Sequence, residues 1–207
     1  MNIQMQICGM IILVVLAVFY KSNRTLKLYS EGIFFWVMIV ATTSLSLDIL
    51  SLIAIEYRQT LPLIWLHLIC KTYIISLIWV GMSGTFYVLT EVLSKTKHQL
   101  LIRAMIITTS IQGLIVYVLP IYIHEEGKEV FTYGPAVLCV YLFALLYVIA
   151  TLVIIMAYRN RVSRRRRFAV SLWMIMWIIA AVIQFLNNEL LLVGFATAMG
   201  VLILLVI

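Results

Sequence analysis

The chain has 207 residues, of which 65% are hydrophobic and 11% charged, with a mean hydropathy of +1.13. A soluble domain carries about 25% charged residues, so this composition excludes one and predicts a polytopic membrane protein built as a single bundle. The net charge of +7 does not imply nucleic acid as a partner. The basic residues fall between apolar segments, where they set topology and meet anionic headgroups, and no aromatic-interleaved basic patch is present.

Seven apolar segments follow one another at residues 3–20, 32–55, 63–90, 101–123, 135–158, 168–186 and 190–207. Each is near the length of about 20 residues that spans a bilayer, so the expected fold is an all-α bundle of seven transmembrane helices. The first is retained and is not a signal peptide: Met1 to Gln6 carries no basic side chain, and Lys21, Arg24 and Lys27 come after the apolar run. The second places Ser44, Asp48 and Ser51 at i, i+4 and i+7, one helical face, and the third places His67 and Lys71 four apart. Thr108 and Gln112 are polar positions in the fourth. The connection from His124 to Gly134 reads as a loop with Glu-Glu-Gly and Tyr-Gly-Pro turns. The sixth carries a stripe of Trp173, Trp177, Ala181, Gln184 and Asn188, read as bundle core or interface belt. In the seventh, Gly194 with Ala198 and Ala196 with Gly200 form small-xxx-small pairs that permit close helix contact.

Orientation follows from Lys and Arg in alternate connections. One side holds Lys21, Arg24, Lys27, Lys95, Lys97, Arg103, Arg159, Arg161 and the run Arg164 to Arg167; the other holds Arg58 and Lys128. The amino terminus is therefore expected outside and the seventh helix is expected to end in the cytoplasm. That helix stops at Ile207 without a polar exit, unlike the other segments, which predicts a chain cut before a cytoplasmic output domain.

Asp48 and Lys71 are the two charges that stand deep in apolar sequence. A charge near the bilayer centre costs at least about 2.5–3.5 kcal/mol, so neither is expected to stand alone. Asp48 precedes Glu56 by eight residues and Lys71 follows Pro62 by nine. At about 1.5 Å per residue, both come to roughly 12–13 Å below one surface. The expectation is an intramembrane ion pair, with Ser44, Ser51, His67, Gln112 and Gln184 as further polar positions. It reads either as a pocket for a small ligand or a proton, or as a structural pair that fixes packing.

Other chemistries find little purchase. Cys8, Cys70 and Cys139 sit in apolar sequence and read as small hydrophobes. Together with His67 and His124 they supply soft metal ligands, but only His67 and Cys70 stand at a close spacing, so no metal and no other cofactor is expected. The seventh segment has no lysine for a retinal Schiff base. Phosphate loops, nucleophile elbows and paired carboxylates on a helix face are missing, so the chain is not expected to be an enzyme.

The opening from Asn2 to Gly9, the elements Leu47-Asp48-Ile49-Leu50-Ser51 and Ile69-Cys70-Lys71-Thr72-Tyr73, and Leu192 to Ala196 resemble the amino-terminal membrane region of clostridial-type diguanylate cyclases. That group is similar to the seven-helix amino-terminal regions of some bacterial histidine kinases. The resemblance implies a bacterial plasma-membrane sensor whose seventh helix leads to a cytoplasmic GGDEF domain making cyclic di-GMP. It also implies a homodimer through that output domain. It brings no defined ligand. The expected partners are the lipid bilayer and a small molecule, and the alternative function is a small transporter or channel using Asp48 and Lys71.

Overall fold

A computed structural model describes residues 3–22, 29–92, 95–126, 129–187 and 191–206. Its elements are α1 (Gln4–Ser22), α2 (Tyr29–Glu56), α3 (Leu63–Val92), α4 (Lys95–Val118), β1 (Tyr122–Glu126), β2 (Glu129–Tyr133), α5 (Pro135–Ala157), α6 (Arg164–Leu186) and α7 (Val193–Val206). Six of the helices, α1 to α6, are long and apolar enough to cross a membrane, which makes this a multi-pass membrane protein. The seventh has 14 residues, or about 21 Å at the helical rise, less than the roughly 30 Å of a hydrocarbon core.

The helices close into a ring in the order α1, α2, α3, α5, α6, α7, with α7 packed back on α1 and also touching α2. Helix α4 stands outside this ring against α3 and α5. Leu13, Leu45, Ile78, Val148, Trp173 and Val201 are buried between the helices, whereas Val18, Ile64, Leu114, Met156 and Leu186 face outward. Apolar residues occupy both sets, because lipid is as apolar as the core. The inward faces are therefore selected by size and hydrogen bonding instead of by hydrophobicity.

Those two selectors are visible at the helix contacts. A Cβ at Gly200 would overlap the indole of Trp173, so the smallest residue of α7 receives the largest of α6. Trp177 Nε1 donates to Thr197 Oγ1 at 3.1 Å, and Thr197 donates in turn to the Val193 carbonyl at 2.8 Å. On the other side of α7, a Cβ at Gly9 of α1 would meet Ala198 at 3.4 Å and Leu45 at 3.1 Å. The small-residue pairs of α7 thus serve contacts inside the bundle. The α3–α5 contact is tied by the Thr85 and Thr151 hydroxyls at 2.8 Å. Tyr147 of α5 also meets Thr109 of α4, hydroxyl to hydroxyl, at 2.5 Å.

Several segment bounds differ from the sequence reading, among them the starts of α2, at Tyr29 where 32 was expected, and of α4, at Lys95 where 101 was expected. Helix α4 ends at Val118 and not near residue 123, and the connection after it is an antiparallel hairpin instead of a loop. Pro120 cannot continue the helix, and the β-branched and aromatic residues on either side of 127–128 favour paired strands. Gly127 and Lys128, between the strands, lie outside the described residues, as do 23–28 and Asn188. Helix α6 begins at Arg164 and not near residue 168, because the Ser163 hydroxyl accepts from the Arg166 amide at 3.3 Å and caps it. The arginine run is therefore its first turn, where Arg166 lies 4.2 Å from the Tyr87 ring centroid. Helix α7 spans Val193–Val206, where 190–207 was expected.

Replacing Gly200 with Val forces the Trp173 indole out of its seat. We expect Gly200→Val to cost about 1–3 kcal/mol as overpacking, seen as a lowered unfolding midpoint in detergent; an unchanged midpoint would contradict this packing.

Candidate functional site

Asp48 lies on the inward face of α2 with Ser44 and Ser51, and all three are buried, Asp48 to 1% exposure. Ser44 and Ser76 of α3 share a hydrogen bond of 2.8 Å, and Ser51 donates to the Asp48 carbonyl at 2.8 Å. The carboxylate itself points toward α1 and α7. Its Oδ2 accepts from Gln6 Nε2 at 3.5 Å, and the same nitrogen donates to the Leu191 carbonyl at 3.0 Å. A Cβ at Gly194 would lie 2.7 Å from Oδ2, so the start of α7 comes this close only because residue 194 has no side chain. The other oxygen, Oδ1, is buried without a hydrogen bond.

Asp48 also lines a cavity of about 520 Å³ at the hairpin end of the bundle. Its walls come from Ser51 and Ile55 of α2, Cys70, Tyr73 and Leu77 of α3, Val137 and Tyr141 of α5, and Gln184 and Phe185 of α6. The hairpin covers it. Register pairs Tyr122 with Tyr133 and His124 with Phe131, so these four rings share one face. Tyr122, Phe131 and Tyr133 of that face line the cavity. Gly134, at φ 124° and ψ −178°, turns the chain from β2 into α5 in a backbone region that only glycine readily occupies. A side chain there would also meet the Tyr122 ring at 3.0 Å. The Tyr73 hydroxyl is buried beside the Asp48 carboxyl and Gln184, without a hydrogen bond of good geometry.

Gln184 links the cavity to α7 a second time. Its Oε1 accepts from the backbone amides of Leu192 and Val193, both at 3.1 Å. First-turn amides have no partner within their own helix, so a side chain of α6 supplies the cap for α7. Of two cavity-lining residues, Gln184 therefore caps the beginning of α7 and Asp48 lies against it.

The expected Asp48–Lys71 ion pair is not formed. Lys71 Nζ donates instead to the Tyr117 carbonyl of α4 at 2.6 Å and lies 5.4 Å from the Tyr117 ring centroid. Two facts of geometry explain this. Cys70, Tyr73, Ile74 and Leu77 form the inward face of α3, and Lys71 is turned about 100° away from Cys70. Helix α4 also ends at Val118, so its last carbonyls, which lack helical partners, lie level with the ammonium and attract it. His67 is half-buried and Gln112, on α4, keeps a buried Oε1 without a partner; neither lines the cavity. Of the polar positions read from sequence, the cavity gathers Asp48, Ser51 and Gln184. Ser44 lies beyond its wall, while Lys71 and Gln112 belong to the contacts of α4. Gln6, Tyr73, Tyr141, Phe185 and the hairpin aromatics were not singled out as site residues, since aromatic and amide side chains in apolar sequence look alike whether they face a cavity, a neighbour or lipid. Among the described residues, no three His, Cys, Asp or Glu side chains gather where one ion could be held.

Fold and site together define a multi-pass α-helical membrane protein with an aromatic cavity at one end of its bundle, built around a buried carboxylate. No protein-family model and no curated protein matches the chain.

Two substitutions separate the contacts described here. Gln184→Ala should release the Leu192 and Val193 amides and speed hydrogen exchange there by about fivefold, the equivalent of a lost cap near 1 kcal/mol; unchanged exchange would remove the cap. Lys71→Met should cost only about 0.5–2 kcal/mol in chemical denaturation, as for a cation at a helix carboxyl terminus. A loss of about 3–5 kcal/mol would instead mark the stranding of a buried partner charge.

Proposed function

We propose that this chain is the signal-input module of a bacterial plasma-membrane protein. In this reading its amino terminus is outside and α7 serves as the seventh span, directed to the cytoplasm. The excess of Lys and Arg in the connections α1–α2, α3–α4 and α5–α6 supports that orientation. The cavity then opens its chemistry to the outer half of the membrane.

The observation that carries the reading is the contact of the start of α7 with two residues of the cavity wall, one by hydrogen bonds and one by close approach. A molecule that enters the cavity meets Asp48 and Gln184. Asp48 lies against Gly194, and Gln184 caps the first amides of α7. Occupancy that redirects either side chain changes the seat of α7, and a shift of one helix is a known form of transmembrane output. Such a ligand biases the equilibrium only by its difference in affinity for the two positions of α7. The output domain, by the resemblance a diguanylate cyclase working as a homodimer, lies beyond α7 in the cytoplasm. The chain itself acts as a receiver without catalysis.

Transport is the competing reading. It needs a path through the far half of the bundle, where Trp173, Val88, Ala169 and Val170 are buried. In cells carrying the complete gene, Asp48→Asn should change the output by about fivefold or more at unchanged protein abundance, the low end of usual coupling energies. The reading frame past codon 207 should continue into an output domain. A stop codon there, with solute flux in liposomes containing the chain, would replace the sensor with the transporter.

A further inference from the structure

The geometry points to the cavity beside Asp48 as a binding site for an organic ammonium ion with an aromatic or apolar body. This names the ligand class of the proposed input site and rests on that reading. Asp48 is the sole Asp or Glu among the described residues that line the cavity, and no Lys, Arg or His of that set joins it. An anion would meet a carboxylate without a counter-charge. A sugar would need polar partners on all sides, whereas most of the lining is aliphatic or aromatic, Ser51 donates to a backbone carbonyl, and Gln184 Oε1 holds two amides of α7.

Two polar atoms stand out for their burial. Asp48 Oδ1 and the Tyr73 hydroxyl are buried side by side, neither in a hydrogen bond of good geometry, on residues 1% and 8% exposed, and both residues line the cavity. One acceptor oxygen of a carboxylate beside a hydroxyl matches the donors of an ammonium group. Around them stand the rings of Tyr73, Tyr122, Phe131, Tyr133, Tyr141 and Phe185. Tyr141 and Phe185 meet edge to face, with centroids 5.7 Å apart, at the boundary with a second cleft between α5 and α6. Aromatic faces attract a cation and also accept an apolar body, so both halves of such a ligand find their surroundings. At about 520 Å³ the cavity falls in the range that encloses small organic ligands.

The test uses the purified chain in nanodiscs of zwitterionic phosphatidylcholine, with protein-free nanodiscs subtracted. Tryptamine is titrated against tryptophol, which keeps the ring and chain but carries a hydroxyl in place of the ammonium. Tryptamine should bind at least about tenfold more tightly, the preference expected where a desolvated charge meets its partner. Asp48→Asn should remove that preference. Tyr73→Phe, which deletes one hydroxyl, should weaken tryptamine more than tryptophol, and it serves as the second variant if Asp48→Asn does not fold. Equal affinities on the wild-type chain, no tryptamine binding, or a preference that survives Asp48→Asn would each overturn the inference. Tryptamine binding that leaves amide exchange at residues 191–197 unchanged would sustain the ammonium site while removing the input role. An output sensitive to Asp48→Asn without amine binding would overturn the ligand class and leave the input role standing.

Discussion

The burial of one carboxylate between three helices constrains the rest of this bundle. Asp48 belongs to α2, but its Oδ2 is held by Gln6 of α1 and closed over by Gly194 of α7. A polar group in a dry interior is costly unless it is hydrogen-bonded, so the residues around it are not freely exchangeable. Gln6 must be an amide that reaches both Asp48 and the Leu191 carbonyl. Residue 194 must be glycine for α7 to start where it does. The ring of helices closes at this point, through the contacts of α7 with α1 and α2.

The remaining contacts follow from the absence of a hydrophobic drive between helices in lipid. Close approach at glycines and short hydroxyl bonds do the selecting. Trp173 against Gly200, Trp177 on Thr197, and Thr85 with Thr151 are all contacts of this kind. They pack the basic-rich half of the bundle densely. At the other half, the hairpin holds its aromatic face over the gap between α2, α3, α5 and α6, and the cavity results. Packed half and open half meet at Asp48 and Gln184, which is why the start of α7 is coupled to the cavity.

Lys71 shows how far a depth argument reaches. Its depth and that of Asp48 both follow from the helical rise, and antiparallel neighbours bring equal depths together. Angle around the helix is the missing coordinate. One residue from Cys70 is enough to turn Lys71 from the α2 side to α4, where the carbonyl of Tyr117 at a helix end provides an acceptor. That end became available because Pro120 stops α4 several residues earlier than the apolar run suggests, and apolar residues past a helix end are indistinguishable from apolar residues within it.

Composition and periodicity were sufficient for the membrane class, the apolar helices, the buried Ser44–Asp48–Ser51 face and the use of small residues on α7, because each depends on local chemistry along one helix. Asp48, Ser51 and Gln184 stood out as polar residues at depth for the same reason. The sequence also carried the hairpin residues, but not their pairing, since their alternation is short and lies beside apolar runs. Only the tertiary structure decided which partner each buried polar group takes. Gln6 reaches Asp48 across 42 positions, and Gln184 caps α7 across a helix boundary. These contacts depend on the rotation and closure of the whole ring, and no local pattern encodes an angle between helices.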